Sequence, residues 1–369
     1  MRAFVSFLLV GSLVSAAAVA RADGMDPSPE RLVLQPPNLP AGQTCQSVAA
    51  DPEKAVAAGL APNALPCRPD NVAFRNYVSE LGFAIAPNAF HPAHTTGFGG
   101  FALTFETSFT NVNASATSTA EDGTTRKFWQ DATQGARDPN TKAFPTSNKN
   151  PDSIVGIYSL KARKGLPLGF ELVGDLGWIG NTSLWVLGAD LRWSPFEGFR
   201  TGALGVLPDV AVGGGVRTLT GTSKFSLTTV GVDVQVSKPI PIADVSTLTP
   251  YVGYQRLFIF GDSAVVDATP NTDALDQCGY QGSDATTGAP VCRNKLSNGI
   301  DNNGNFNNNF TFDKVRTHRH RMIIGVNYKV EFVYVATQIL FDILPANEEN
   351  PGLVNGRQWT YSLEAGVYF

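Results

Sequence analysis

Beyond residue 97, apolar and polar residues alternate in stretches of about ten residues that turn signals separate. In one stretch Phe170, Leu172 and Trp178 share a face, and Glu171 and Asp175 share the other. A period of two is typical of a β-strand with two unlike faces. The pattern therefore predicts strands with one apolar side and one charged side.

Ten stretches carry this pattern. The predicted strands cover 98–110, 153–163, 168–180, 183–193, 208–220, 224–237, 248–260, 315–329, 331–343 and 357–369. An additional pair within 81–96 or 198–207 would raise the number to twelve. Either number is even, as expected for an antiparallel sheet that closes into a membrane barrel.

The order of aromatic residues separates a membrane barrel from a soluble β-sandwich, which would also alternate. Phe170 and Trp178 are eight residues apart on the apolar face, and so are Trp185 and Trp193. At about 3.3 Å per residue and a tilt near 40°, eight residues rise about 20 Å. This rise approaches the apolar band of about 25 Å that aromatic girdles bound in membrane barrels. The spacing favours a membrane barrel.

The connections between strands differ in length on the two sides. Long links at 111–152, 261–314 and 344–356 fall on one side, with tight turns near Asn181 and Gly221. The other links are short, as periplasmic turns are in outer-membrane barrels, whose extracellular loops are longer. We therefore predict an all-β fold: a transmembrane antiparallel up-and-down β-barrel of about ten strands over 97–369.

The first 96 residues lack the alternation. Arg2, an apolar run over 3–19 and the sequence Ala20-Arg21-Ala22 have the layout of a secretory signal, so we expect residues 1–22 to be removed. A retained anchor is the alternative. Residues 23–96, rich in Pro and Ala, are expected to form an irregular periplasmic segment or a partial plug, with a short helix over 71–81.

The C-terminal strand carries the most specific resemblance. One face of it holds Tyr361, Leu363, Ala365, Val367 and Phe369. This arrangement resembles the terminal strand of bacterial outer-membrane proteins, which ends in an aromatic residue. The resemblance implies a location in the outer membrane of a Gram-negative envelope and recognition of this strand by the barrel assembly machinery. It implies no particular activity, because one fold serves many functions.

Composition narrows the range of partners. Charged residues make up 16% of the chain, the net charge is -4, and there is no block of basic residues. Nucleic-acid binding through phosphate neutralisation is therefore not expected. We expect contact with outer-membrane lipid and lipopolysaccharide, and no cofactor.

Four cysteines, an even number in an exported chain, predict disulfides. Three connectivities are possible. We favour Cys45 with Cys67 and Cys278 with Cys292, because the two pairs fall in segments that we place on opposite sides of the membrane. Metal binding would need closer ligand spacing, and we predict no metal site.

Charged residues on the polar face are predicted to point into the lumen. The candidates for ion pairs there are Glu106, Glu171, Asp175, Asp190, Arg192, Arg217, Asp233, Arg319, Arg321 and Glu364. In a narrow barrel such charges are expected to pair across the lumen and form a polar core. A selective narrow pore is the alternative. Arg256 is an exception, since it shares a face with Tyr254 and Phe258, so a bulge or the opposite orientation is needed.

Two further segments could carry chemistry. Alternation sends His318 and His320 to the lipid-facing rim, where a basic rim could contact the phosphates of lipopolysaccharide. A hydrolase of lipids or peptides at this rim is an alternative, because histidine beside a carboxylate and a hydroxyl can act as a general base. The segment 298–305 is rich in oxygen ligands, but Asn replaces the Asp of calcium loops and the bidentate Glu is missing. We expect a surface loop there.

These observations predict an outer-membrane barrel with a structural, surface-interaction or narrow-pore, porin-like transport role. We expect no enzymatic activity. The pattern does not indicate an oligomeric state.

Overall fold

The computed structural model describes residues 24–36, 39, 41–49, 52–57, 59, 67–136, 138, 140, 145–196, 207–267, 280–286, 290–292 and 309–369. The predicted signal peptide, Cys278 and the segment 298–305 lie outside the described residues. Among the described residues, no helix has both the length and the apolar character to span a bilayer.

Ten antiparallel strands form one closed barrel. They are β1 (Phe101–Asn111), β2 (Ile154–Gly165), β3 (Phe170–Ile179), β4 (Trp185–Trp193), β5 (Asp209–Thr220), β6 (Phe225–Ser237), β7 (Ser246–Ser263), β8 (Val315–Val330), β9 (Val333–Asp342) and β10 (Trp359–Tyr368). Each strand pairs with its neighbour in sequence, and β10 pairs with β1. The predicted barrel is confirmed with ten strands, because a closed ring leaves no place for another pair.

The register fixes the tilt of the strands. A row of paired residues that starts at Phe170 passes through Trp193, Tyr254 and Trp359. Continued through β1 and β2, the row returns to β3 about twelve residues further along the strand. For ten strands this stagger corresponds to a tilt of about 40°.

The outer surface of the barrel is an apolar belt between two aromatic girdles. At one end of β3, Phe170 stacks on Trp193 with ring centroids 5.9 Å apart. At the other end, Trp178 stacks on Tyr158 at 5.7 Å. Leu172 and the other apolar residues between them are exposed. An exposed apolar belt of this height is compatible with lipid and not with water.

The remaining elements lie in the connections. The helices are Cys45–Ala49, Pro52–Ala57, Asn71–Ala84, Phe128–Ala132 and Ala346–Glu349, with 3-10 turns at Pro29–Arg31 and Pro167–Gly169. The short strand pairs are Val33–Leu34 with Arg68–Pro69, Ser118–Thr119 with Thr125–Arg126, Val266–Asp267 with Asn309–Phe310, Tyr280–Ser283 with Pro290–Cys292, and Ile240–Ala243 with β7.

The long connections lie at one end of the barrel, here called the outer end. The other connections, apart from the tight turns near Asn181 and Gly221, lie at the inner end, as does the C-terminus. There Phe369 donates its backbone N–H to the carbonyl of Phe101. This asymmetry identifies the outer end as extracellular and the inner end as periplasmic.

The described residues between 24 and 70, here called the N-terminal segment, lie at the outer end of the barrel and not at the inner end. The Met25 N–H bonds the Asn181 carbonyl in an outer turn at 3.0 Å, and Glu30 pairs with Lys224 at 2.9 Å. The predicted Cys45–Cys67 disulfide is present. It belongs to the N-terminal segment and so lies at the outer end.

Helix Asn71–Ala84, here called the plug helix, enters the barrel from the outer end. Asp70 caps its first turn by accepting a bond from the Ala73 N–H at 2.9 Å. Phe74 stacks on Phe312 with centroids 4.2 Å apart, and Tyr77 packs on Trp129 at 5.0 Å. These contacts form a hydrophobic core over the mouth of the barrel.

The barrel wall around the plug helix is apolar on its inner face. Buried inward-facing residues include Val155, Ile157, Ile179, Val186, Leu219, Leu227, Leu257 and Ile259. The inner face is therefore largely apolar around the helix, not charged along its whole height as the sequence suggests. Arg319 is an exception at this level, since its Nη2 donates to Ser79 Oγ on the helix at 3.2 Å. Gly82 allows the close approach, because a Cβ there would lie 2.4 Å from the Ile259 side chain.

Candidate functional site in the lumen and at the outer rim

Residues 85–96, here called the lumen segment, continue from the plug helix to the inner end of the barrel. Wall side chains donate hydrogen bonds to its carbonyl oxygens. Arg192 Nη1 bonds the carbonyls of His91 at 2.9 Å and Pro92 at 2.7 Å. Gln235 Nε2 bonds the Ala89 carbonyl at 2.7 Å. The segment is thus held through its main chain.

Strands β7, β8 and β9 supply the same kind of contact. Gln255 Nε2 and Arg321 Nη2 bond the Pro87 carbonyl at 3.1 and 2.7 Å. Gln338 Nε2 bonds the Asn88 carbonyl at 2.7 Å. Sequence reasoning did not single out these glutamines, although alternation already places them inward.

The lumen segment also donates to the wall. Asn88 Nδ2 bonds Glu106 Oε1 at 2.5 Å and Ser108 Oγ at 2.8 Å. The Thr96 N–H bonds Glu171 Oε2 at 2.8 Å, and the Ala93 N–H bonds a serine of β6 at 3.0 Å. Polar contacts with the wall therefore extend along the lumen segment.

The inward-facing charges pair between nearby strands. Arg163 pairs with Glu171 at 2.9 Å, and Lys161 pairs with Glu106. The other pairs are Arg217 with Asp190 at 2.6 Å, Arg217 with Asp175 at 3.0 Å, Lys161 with Asp175 at 4.0 Å and Arg319 with Asp342 at 3.1 Å. The expectation of pairing across the lumen is wrong, because the lumen segment occupies its centre and facing side chains of paired strands lie about 5 Å apart.

Three members of these pairs were absent from the predicted set: Lys161, Arg163 and Asp342. The alternation already places the two cations in the lumen, because they lie on the same inward face of β2 as Ile157. Arg192 approaches its carboxylate, Asp233, only to 3.9 Å. Its shorter bonds are to the lumen segment.

Arg321 and Glu364 complete the predicted set without a close ion pair. Arg321 binds Gln255 Oε1 and has no carboxylate within 4.0 Å among the described residues. Glu364 accepts a hydrogen bond from Tyr334, and the nearest basic atom described is His91 Nδ1 at 3.9 Å.

Two small cavities lie in the described part of the barrel. One, of about 20 Å³, lies beside Tyr77 and Trp129. Another, of about 10 Å³, is lined by residues that include Asp190, Arg192 and Asp233. Each has room for about one water molecule. Neither is large enough for a solute.

Glu80 on the plug helix is a buried acid above the outer end of β1. Its Oε2 accepts a hydrogen bond from the Asn113 N–H at 3.2 Å. Burial raises the pKa of this carboxyl to about 8, although the Asn113 bond and the charge of Arg319 oppose the rise. At neutral pH the helix therefore packs with Glu80 protonated.

The outer rim of β7 and β8 carries a second polar group. Arg256 faces outward, and the pairing of Arg256 with His320 and of Phe258 with His318 continues without a bulge. Of the two alternatives for Arg256, the outward orientation is the one observed. His320 Nδ1 and the Tyr254 hydroxyl share a hydrogen bond. The Arg256 guanidinium lies over the Phe258 ring at 5.3 Å.

The neighbours of the two histidines bear on the hydrolase alternative. Asn350 Oδ1 and Glu349 accept the backbone N–H groups of His318 and His320, at 3.0 and 3.2 Å. Among the described contacts, neither imidazole bonds a carboxylate or a serine or threonine hydroxyl. No group of three described His, Cys, Asp or Glu side chains could hold a metal ion.

Comparison with known proteins adds no closer assignment. No family model matches the sequence, and no curated protein matches it. The chain is similar to the solved structure of Ail, the attachment invasion locus protein of Yersinia pestis, with 10% identity and a TM-score of 0.24, over 74% of this chain and 99% of that one. For the outer membrane protein OprG of Pseudomonas aeruginosa, the values are 8% identity, a TM-score of 0.26, and 76% and 99% coverage.

A FadL homologue of Pseudomonas aeruginosa matches with 9% identity and a TM-score of 0.16, over 80% of this chain and 98% of that one. Such low scores carry no functional argument. The assignment rests instead on the closed sheet, the apolar belt, the two aromatic girdles and the unequal ends of the barrel. The chain is a ten-stranded β-barrel of the bacterial outer membrane, with part of its own N-terminal region inside the lumen.

Proposed function

We propose that this protein is a closed barrel at rest and that it acts at the cell surface, in a structural or interaction role, without catalysing a reaction. The observation that carries this proposal is the course of residues 71–96 through the barrel. A lumen that the protein's own chain already occupies is not expected to pass solutes.

The polarity of the contacts argues that the closure is stable. Arg192, Gln235, Gln255, Arg321 and Gln338 all donate to carbonyls of the lumen segment. If the segment left, these donors would need water or another acceptor. A buried donor or acceptor that loses its partner costs about 1–3 kcal/mol. Several such losses at once oppose spontaneous opening.

The outer end favours a role at the surface. The N-terminal segment, the plug helix and the helix Phe128–Ala132 pack together there around Trp129. Arg126 joins them by pairing with Asp70 at 2.8 Å and donating to the Val33 carbonyl at 2.6 Å. This ordered cap offers a fixed surface to a partner outside the cell.

Conductance in a planar bilayer tests the closure. The refolded chain without residues 1–22 is compared with an Arg192→Ala/Arg321→Ala variant, which loses the two guanidinium groups that bond the lumen segment. Arg256→Ala is the matched control, because that arginine faces outward. We expect no current steps from the wild type or the control, and discrete steps from the double variant.

Heat-modifiable electrophoresis first verifies that each protein forms a barrel. Steady, discrete steps from the wild type would overturn the closed state and favour the narrow-pore role. Silence of a correctly folded double variant would show that these two arginines do not hold the closure. A surface role would then depend on the cap alone.

A further inference from the structure

Arg256 differs from every other charged residue on the outer surface of the barrel strands. Three other charged side chains on the ten strands face outward: Lys164, Asp262 and Arg316. Lys164 Nζ donates to the Gly99 carbonyl at 2.7 Å, and Arg316 pairs with Asp262 at 3.1 Å. Arg256 is exposed and has no hydrogen bond or ion pair to any residue in the described parts of the chain.

The register gives the height of Arg256 in the membrane. From Phe170 the paired row climbs about 3 Å with each strand, and each residue along a strand adds about 2.5 Å at the observed tilt. Arg256 thus lies about 17 Å above Phe170, within about 3 Å of the height of Trp178. This is the level of the outer aromatic girdle.

A cation is tolerated at this level, but no hydrogen bond or ion pair within the described parts of the protein accounts for its presence there. Arginine on the lipid-facing side costs about 2–4 kcal/mol at the bilayer midplane and about 0–1 kcal/mol near the interface. The guanidinium at the girdle can reach the headgroup layer, since long basic side chains extend their charge toward the interface. An anionic group in that layer can pair with it.

The neighbours of Arg256 add donors on the same face. His320 is its direct partner on β8, and the rings of His318 and His320 lie 5.9 Å apart. Tyr254 orients the His320 ring through its hydroxyl. The Glu349 carboxylate is the nearby acidic group. It interacts electrostatically with Arg256 without forming an ion pair, and it already accepts the His320 backbone N–H at 3.2 Å.

We propose that Arg256, with His318 and His320, binds a phosphate group of a glycolipid in the outer leaflet. The planar guanidinium can donate two parallel hydrogen bonds to a phosphate, which suits arginine for this task. The position at the outer girdle favours a lipid-borne phosphate over a free one, because the acyl chains of the same molecule can cover the apolar belt below. The site is independent of whether the lumen is closed.

Native mass spectrometry of the refolded protein tests the proposal. The probes are lipid A with two phosphates, the same lipid without phosphate, and inorganic phosphate. Arg256→Gln removes the charge and keeps a polar side chain of moderate length, whereas Lys164→Gln is a matched control at the inner girdle. We expect the wild type and Lys164→Gln to bind lipid A equally, and Arg256→Gln to bind it about tenfold more weakly.

The other arms distinguish the sources of affinity. Lipid without phosphate is expected to show no difference between the variants, and millimolar inorganic phosphate is expected not to displace lipid A. Equal binding by the wild type and Arg256→Gln, or equal loss in both variants, would overturn the proposal. Displacement by inorganic phosphate would overturn the assignment to a lipid. If Arg256→Gln fails the heat-modifiability test, Arg256→Lys replaces it, with a smaller loss expected because only the bidentate geometry is removed.

Discussion

Glu106 on β1 and Glu364 on β10 lie directly opposite each other in the strand pair that closes the barrel. Both carboxylates are buried. Two ionised carboxylates in this position would destabilise a sheet, and here each acid has a different partner. Lys161 pairs with Glu106, while Tyr334 donates to Glu364. The seam of the barrel therefore depends on one lysine from a third strand.

Replacing this lysine is expected to destabilise the barrel strongly. Lys161→Met leaves the buried Glu106 carboxylate without its cation, which should lower the free energy of unfolding by about 3–5 kcal/mol. Glu106→Gln in the same chain should recover most of the loss. Urea titration in detergent measures both. Equal stability of the single variant and the wild type would show that the pair does not stabilise the seam.

The plug helix is expected to make the stability of the protein depend on pH through Glu80. Its folded pKa of about 8 lies above the value of about 4.5 for an unfolded chain. The native state then binds the extra proton between these values, so this contribution to stability is complete below pH 4.5 and is lost as the pH rises to about 8. Urea titrations at several pH values should show this slope in the wild type and its absence in Glu80→Gln. The same slope in both proteins would contradict the assignment.

The disulfide is expected to stabilise the N-terminal segment and not the barrel. Cys45 and Cys67 are separated by 22 positions, and neither belongs to a barrel strand. The Cys45→Ser/Cys67→Ser variant should keep its heat-modifiable mobility but lose about 2–4 kcal/mol of local stability in this segment. Limited proteolysis with mass spectrometry should then detect faster cleavage before residue 71. Loss of the mobility shift would show that the barrel itself needs the disulfide.

The N-terminal segment is expected to be accessible from outside the cell. Residues 41 and 42 are exposed in a turn of this segment. An epitope tag inserted between Ala41 and Gly42 should bind antibody on intact cells. The same tag after Asp244, in an exposed inner turn, should bind only after the outer membrane is permeabilised. The reverse result would invert the orientation of the barrel or of its N-terminal segment.

Much of the fold could be predicted from local pattern. Every predicted strand was found, and the residues that face lipid follow the alternation, including His318 and His320. The aromatic pairs at the two ends of β3 lie where their spacing places them. These features depend on residues close in sequence, because the orientation of a side chain on a strand repeats every two residues.

The candidate site could be predicted only in part. All ten residues proposed for the lumen face inward, but their partners were not identified, and Lys161 and Arg163 were not included. The partner of a charge depends on the stagger between strands and on what fills the lumen. Neither can be read from the order of polar residues along one strand.

The sequence by itself determined the strands, their two faces and the apolar belt. These follow from a period of two and from the free-energy cost of placing a charge in lipid. Only the tertiary structure decided the course of residues 71–96. Their path depends on long-range contacts, such as Phe74 with Phe312 and Arg192 with His91, between residues far apart in the chain. No local period encodes such contacts, and so the position of residues 71–96 in the lumen emerged only from the tertiary packing.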